Sequence, residues 1–528
     1  MRHGACGALI GIAAALVACG WAAPAAAQDP GLPVVPIPGD PLGGSVTPFE
    51  GATAVPDPVG GMTPPPQNPF MAPNGRSNIH DDAYMTDTYA VGGPLGDGSE
   101  PSSLFSRECG SITFDSHGRI VTICVGLDRP VLALLDPHTL ATLAAMPLPQ
   151  RNVAPGSNPF TDFSGGGYFY LDQRDRAVIP TNARHIMVIS IVAGPRFAVD
   201  RDYDLSAKIP SGEGIISVLP DWHGLLWFVT RRGIVGTIDR GDGTVRTMRL
   251  SGEGISNSFA VDETGGVFIV SDKALYRFDA DSKGAPEVGW RLVYPDSGIH
   301  KPGQSDAGSG TTPTLMGKGW VAITDNADPM DVVVYRRALR LRKPKAHRKR
   351  GRTAGRRRAK AKARLVCSAP VFARGAGSTD NSLIGTNRSL IAENNYGYMV
   401  SAADLSGGES APGLTRIDVV KKKRGKHGRG KRKVRFRCRT VWKSDERAPS
   451  VVPKLSLANG LVYTFTKPPR ADGIDAWYLT ALDFRTGRTA YRRLAGTGFG
   501  FNNNYAPVTL GPDGTAYVGV LGGLVEFP

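Results

Sequence analysis

A weak repeat of roughly 40 residues runs from about residue 80 to the C-terminus, which restricts the chain to folds that stack one small unit many times. Gly254 to Pro295 shows the unit best: Ser258-Phe-Ala-Val-Asp262, a Glu-Thr-Gly-Gly turn, Val267-Phe-Ile-Val-Ser271, Ala274-Leu-Tyr-Arg-Phe-Asp279, then Trp290-Arg-Leu-Val-Tyr294. The same order recurs at Gly110–Leu148, Gly212–Leu250 and Leu455–Leu494. Each unit reads as four short strands joined by Asp/Gly turns. One such sheet cannot cover both of its apolar faces. Radial packing of several sheets buries the faces and leaves only short edges. The expected fold is therefore all-β: a single β-propeller of eight four-stranded blades, with seven as the alternative and a pair of β-sandwiches as the competing architecture. The chain ends on half a unit, Pro507–Val520, so a segment near Tyr84 to Val91 is expected to supply a missing strand and close the ring.

Ala481-Leu-Asp-Phe-Arg-Thr-Gly487 resembles the repeat of quinoprotein (PQQ) propellers, in which Asp-x-x-Thr-Gly joins the two outer strands. Val261-Asp-Glu-Thr-Gly-Gly266 and Gly511-Pro-Asp-Gly514 resemble inner turns of gluconolactonase- and NHL-type propellers. The resemblance covers most of residues 105–528. It implies a fold, and a fold does not imply a function.

The N-terminus reads as an export signal over residues 1–27. Arg2 and His3 precede an apolar run from Ala8 to Ala18, too short for a permanent span. Two processing sites compete: Ala25-Ala26-Ala27, and a lipobox-like Leu16-Val17-Ala18-Cys19, in which Cys19 would be lipidated. Residues 28–78, rich in Pro and Gly, read as an extended, disordered stalk before a propeller over 79–528. Four cysteines remain in the body: Cys109, Cys124, Cys367 and Cys438. In an oxidising compartment they suggest two disulfides with three formal connectivities. A hairpin turning at Asp115–Gly118 puts Cys109 opposite Cys124, leaving Cys367 with Cys438. The expected location is extracytoplasmic, secreted or envelope-anchored.

The net charge of +16 is uneven. Residues 336–364 carry 16 Lys/Arg and 421–437 carry 11, neither with an acid, while the remainder has 36 Lys/Arg against 47 acidic residues. Both segments fall between the third and fourth strands of consecutive units, on one rim. So much like charge with few apolar residues predicts disordered inserts. Anionic envelope polymer or anionic lipid is the expected partner. Nucleic acid is disfavoured because the inserts lack aromatics that stack on bases. A monomer is expected.

No nucleophile elbow, Walker loop, HExxH or EF-hand loop appears. Of nine histidines, only His80, His185 and His300 lie outside the leader, inserts and expected turns. Propeller ligands bind near the ends of inner strands, where polar segments supply Asp162, Asn257, Asp306, Glu393, Asn394 and Asn503. Such oxygen donors suit calcium. The same residues also suit backbone satisfaction at strand ends. The resembling enzyme families use a central metal, but their ligand motifs do not match this chain position by position. Two functions stay open: a non-catalytic envelope protein that binds a ligand or partner, and a calcium-dependent extracytoplasmic enzyme, either a quinone-cofactor dehydrogenase or a lactonase-like hydrolase.

Overall fold

The computed structural model describes residues 46–98, 101–105, 107–126, 129–151, 165–341, 363–398, 410–422 and 435–528. The leader with Cys19, Asp162 and most of both basic inserts lie outside the described residues. The described chain forms eight sheets in sequence order, the blades of one propeller, antiparallel apart from Thr88–Tyr89, which adds parallel to the inner strand of blade seven. Blades one to seven span 108–147, 170–204, 215–249, 260–293, 314–370, 384–444 and 454–497.

Burial falls from the inside of each blade outward. In blade three the strands Ile215–Pro220, Leu226–Thr230 and Ile234–Ile238 are buried throughout, whereas the outer strand Val245–Arg249 is half exposed. Inner strands packed between neighbouring blades read as continuous apolar runs, and the outer strand alternates because one side meets water. The Asp/Gly turns have a mechanism. Asp115 Oδ1 accepts the amides of His117 and Arg119 at 3.0 and 2.9 Å, and Asp221 and Asp262 do the same in their turns. Gly118 takes φ 77°, a conformation costly for residues with a Cβ.

The ring closes differently from expectation. Blade eight combines Val508–Leu510, Ala516–Val520 and Gly523–Phe527 with an outer strand, Ser102–Phe105, paired antiparallel to Gly523–Phe527. Residues 84–91 do not close it. They belong to a segment that runs inside the ring, along the inner strands. Leu171 N donates to the Ser77 carbonyl, Val261 N to Ala83, Leu315 N to Tyr84, Gly385 N to Thr86, and Leu455 N to Asp87, at 2.7–3.0 Å. The inner strands of blades two, four, five, six and seven thereby satisfy edge amides that face the axis. A buried donor left unpaired costs about 1–3 kcal/mol.

The expected stalk is also corrected in its second half. Phe49–Gly51 pairs with the outer strand of blade seven, and Asp57 N donates to the Asn459 carbonyl at 2.9 Å. Asn68 Nδ2 donates to the Pro220 carbonyl at 2.9 Å. This Pro-rich stretch has too few apolar residues for a core of its own, so it packs on one provided by the blades.

Both disulfides are present. Cys109–Cys124 links facing residues of the first two strands of blade one. Cys367–Cys438 ties the outer strands of blades five and six. Two disulfides are compatible with an extracytoplasmic location.

Candidate functional site

Each blade is a meander, so its inner strand starts at one face of the ring, and the turn between its first two strands lies at the other. Residues 68–77 cover the second face, bonding to Pro220 and Leu171 at the far ends of inner strands. The chain then dips inward, and Ile79 and His80 form the floor of a cavity of about 300 Å³ that opens at the first face. Its wall comes from residues just before the inner strands of several blades and from the far ends of the second strands of blades one and eight. Ile123, Val125, Val452, Pro507 and Leu521 give it an apolar side. Tyr168, Asn257, Asp380, Asn381 and Asn504 give it a polar one.

His80 is buried, at 3% exposure. Its Nδ1 lies 3.0 Å from Asp87 Oδ1 and 3.1 Å from Ser382 Oγ. Ser382 Oγ also donates to Asp87 Oδ2, and Lys454 Nζ donates to Asp87 Oδ1 and the Ile79 carbonyl. Burial works to raise the Asp87 carboxyl, but the charges of Lys454 and His80 outweigh it and hold the group below its ordinary value. An ionised Asp87 accepts the Nδ1 proton of His80, which turns Nε2 away from the carboxylate. That Nε2 has no hydrogen-bond partner. The Tyr168 ring stacks on His80 at 6.1 Å, and its hydroxyl donates to Asn257 Oδ1 at 2.6 Å.

Two more acceptors on this wall lack donors, Asp380 Oδ1 and Asn381 Oδ1. Asp380 Oδ2 accepts from Ser305 N at 2.5 Å, and burial pushes its carboxyl up to about 6. Asn381 Nδ2 donates to the Val451 carbonyl at 2.7 Å and to Glu393 Oε1 at 3.1 Å. Glu108, also on the wall, is pushed up to about 8 by burial against the opposing charge of Arg151.

The candidate metal ligands separate. Asn257 is on the cavity wall. Glu393 is buried and accepts from Asn381 and Asn395. Asn394 and Asn503 spend their amides on backbone: Asn394 on Ala376 and Pro412, Asn503 on Ala506 and Gly519. Asp306 pairs with Arg231 at 3.1 Å. Among the described residues no three His, Cys, Asp or Glu side chains group as a metal site. His185 pairs with Asp202 at 2.8 Å on an outer part of blade two, and His300 Nε2 lies 2.6 Å from the Gln304 carbonyl.

Sequence reasoning set His80 apart but missed its role, along with Ile79 and Asp87. The available signal was the run Asn78–Asp87, where Ile, Met and Tyr alternate with three Asp in a manner unlike a solvated stalk.

Fold and cavity together define an eight-bladed propeller whose axial channel is closed at one face by its own N-terminal segment. In solved structures, the chain is similar to the quinohemoprotein alcohol dehydrogenase from Comamonas testosteroni, with TM-score 0.50 and 11% identity over 88% of this chain and 80% of that one. That likeness supports the quinoprotein resemblance at the level of fold. BamB from Moraxella catarrhalis aligns with TM-score 0.48 and 12% identity over 81% of this chain and 98% of that one. In sequence, the chain is 28% identical over 340 residues to an uncharacterized protein of Archaeoglobus fulgidus, covering 61% of this chain and 62% of that relative's length. No family model matches.

Proposed function

We propose that this is an extracytoplasmic binding protein that holds a small organic molecule in its axial cavity. The closure of the channel by residues 72–89 carries the reading, because it turns an open pore into a one-mouthed site with a built floor. A mostly apolar wall with a few polar side chains is the usual character of a small-ligand site. The two disulfides support export. The test is a thermal-shift screen of the exported chain against compact organic molecules, repeated on Val125→Trp, which fills the cavity. A ligand that binds only the folded state raises Tm by mass action. Shifts in the parent that vanish in the variant support the reading, and shifts equal in both contradict it.

The basic inserts add an orientation. The strands that flank them, Asp331–Arg336 with Leu365–Pro370 and Leu414–Lys421 with Phe436–Ser444, meet at the face opposite the cavity mouth. In this proposal the inserts rest on an anionic envelope polymer or anionic lipid, and the cavity faces away from it. Deleting 342–362 and 423–434 should abolish salt-sensitive binding to anionic vesicles. Unchanged binding would contradict the orientation.

A further inference from the structure

We infer that the cleft between blades two and three, on the face that carries the basic inserts, binds a tetrahedral oxyanion, a phosphate group. The site is separate from the axial cavity and does not rest on it. The cleft holds about 500 Å³ and lies between the turn 172–176 of blade two and the turns 221–225 and 239–244 of blade three. Four arginines line it, Arg174, Arg176, Arg201 and Arg240, against two carboxylates, Asp172 and Asp239. Asp172 is buried and already spent: its Oδ2 accepts from Nε and Nη2 of Arg176 at 2.9 and 2.6 Å. That pair belongs to the turn, because blade one repeats it with Arg119 on Asp115. Arg174 and Arg240 are additions to the blade pattern. The position of Arg174 holds His117, His223 and Thr264 in the matching turns of blades one, three and four. The position of Arg240 holds Pro137 in blade one and Phe484 in blade seven. Blade geometry does not require these charges, yet they meet at one cleft.

Two of the guanidinium groups are held in place. Arg240 lies over the Phe70 ring at 5.2 Å, with Nη2 3.9 Å from Asp172 Oδ2. Arg201 lies over the Tyr203 ring at 4.8 Å and donates through Nη1 to the Arg240 carbonyl at 2.7 Å. A stacked guanidinium has little freedom left to lose on binding. Both remain accessible: the Arg240 side chain is 23% exposed, and Arg201 is exposed. Arg174 is exposed as well, and its side chain makes no hydrogen bond or ion pair among the described residues. One fork matches the two oxygens of a carboxylate, whereas the oxygens of a phosphate can serve several forks at once. Three guanidinium groups from separate turns and strands therefore suit phosphate. Both basic inserts leave from the same face, so the wider field also draws anions to it.

The test follows Tm of the parent chain with inorganic phosphate, against acetate and chloride at equal ionic strength. Phosphate should raise Tm beyond both, by mass action. In Arg174→Gln with Arg240→Gln its apparent affinity should fall about tenfold or more, the weight of a lost charge-assisted hydrogen bond. Arg388→Gln, the same charge change on an exposed turn of blade six at that face, should keep the parent value. If the double variant fails to fold, Arg174→Gln alone carries the test, since that side chain holds nothing in the fold. An equal response to acetate, or no response to phosphate beyond chloride, overturns the inference. An equal loss in Arg388→Gln also overturns it, because the attraction would then be diffuse. Vesicles of phosphatidylglycerol in phosphatidylcholine separate the sources of the phosphate. Weaker binding to them by the double variant than by Arg388→Gln assigns the cleft to a lipid headgroup. Equal vesicle binding, with the phosphate response still lost, assigns it to free phosphate or a small phosphate ester. Neither result bears on the axial cavity, which Val125→Trp tests.

Discussion

Lys454, on the inner strand of blade seven, donates to the carboxylate of Asp87, a residue 367 positions earlier that the N-terminal segment brings to the axis. Both side chains have no solvent exposure, and Asp87 is shared with His80 and Ser382. A buried ion pair thus joins the N-terminal segment to the seventh blade, beside the backbone bonds between them. Removing one partner of such a pair strands a charge and costs about 3–5 kcal/mol, more than the pair itself contributes. Lys454→Met should therefore lower the urea midpoint sharply. Adding Asp87→Asn should recover part of the loss. A double variant no better than the single would show that the charge pairing is not the cause.

The channel-closing segment makes a second prediction, by hydrogen exchange. The amides of Val261, Leu315, Gly385 and Leu455 donate to carbonyls of residues 83–87. They should be among the slow exchangers of the parent, because opening them requires the segment to leave. In a chain lacking residues 46–98 they should exchange faster than the second-strand amides of the same blades. Equal protection in both chains would contradict the closure.

Glu108 predicts a pH dependence. Its folded-state pKa is about 8 against an ordinary 4.5, with burial the leading cause. A carboxyl raised on folding binds its proton more tightly in the native state, so stability falls as pH rises from about 4.5 through about 8. Glu108→Gln should therefore gain roughly 1–3 kcal/mol over the parent at pH 9 and show little difference at pH 4. Melting curves at the two pH values check this. A gain of the same size at pH 4 would point to packing instead of ionisation.

The Cys367–Cys438 bridge spans 71 residues of sequence and joins two blades. Closing a loop that long contributes about 2–4 kcal/mol, chiefly by restricting the unfolded chain. Replacing both cysteines with serine should lower Tm and leave ligand shifts at the cavity intact, since the bridge lies on outer strands away from the axis. Loss of ligand shifts in a folded variant would contradict the placement of the site.

The blades were legible because their information is local. Val267–Val270 and Ala274–Ala280 announce themselves as strands by composition, and Asp262 with Gly265 announces the turn before them. The pairing of Cys109 with Cys124 followed from the same hairpin. Residues 46–91 were not legible because nothing in them is periodic. Their order comes from edge amides and carboxylates supplied by distant blades, as when Arg76 pairs with Asp175 at 2.8 Å. For the same reason Ser102–Phe105 could not be told from Tyr84–Val91 as the closing strand: both are short, and only the ring decides which reaches the outer edge. The site was half visible. Asn257 stood out as a polar residue before an inner strand, while the floor, Ile79 and His80, lies just past the stretch read as stalk, where no role was expected.

The central claim is that the axial cavity, closed below by Ile79 and His80, binds a small organic molecule. Saturation-transfer NMR tests it most directly, with a mixture of compact organic molecules presented to the parent chain and to Val125→Trp. The account predicts transfer to at least one compound in the parent and its loss in the variant. Transfer to the same compounds in both proteins, or in neither, would contradict it.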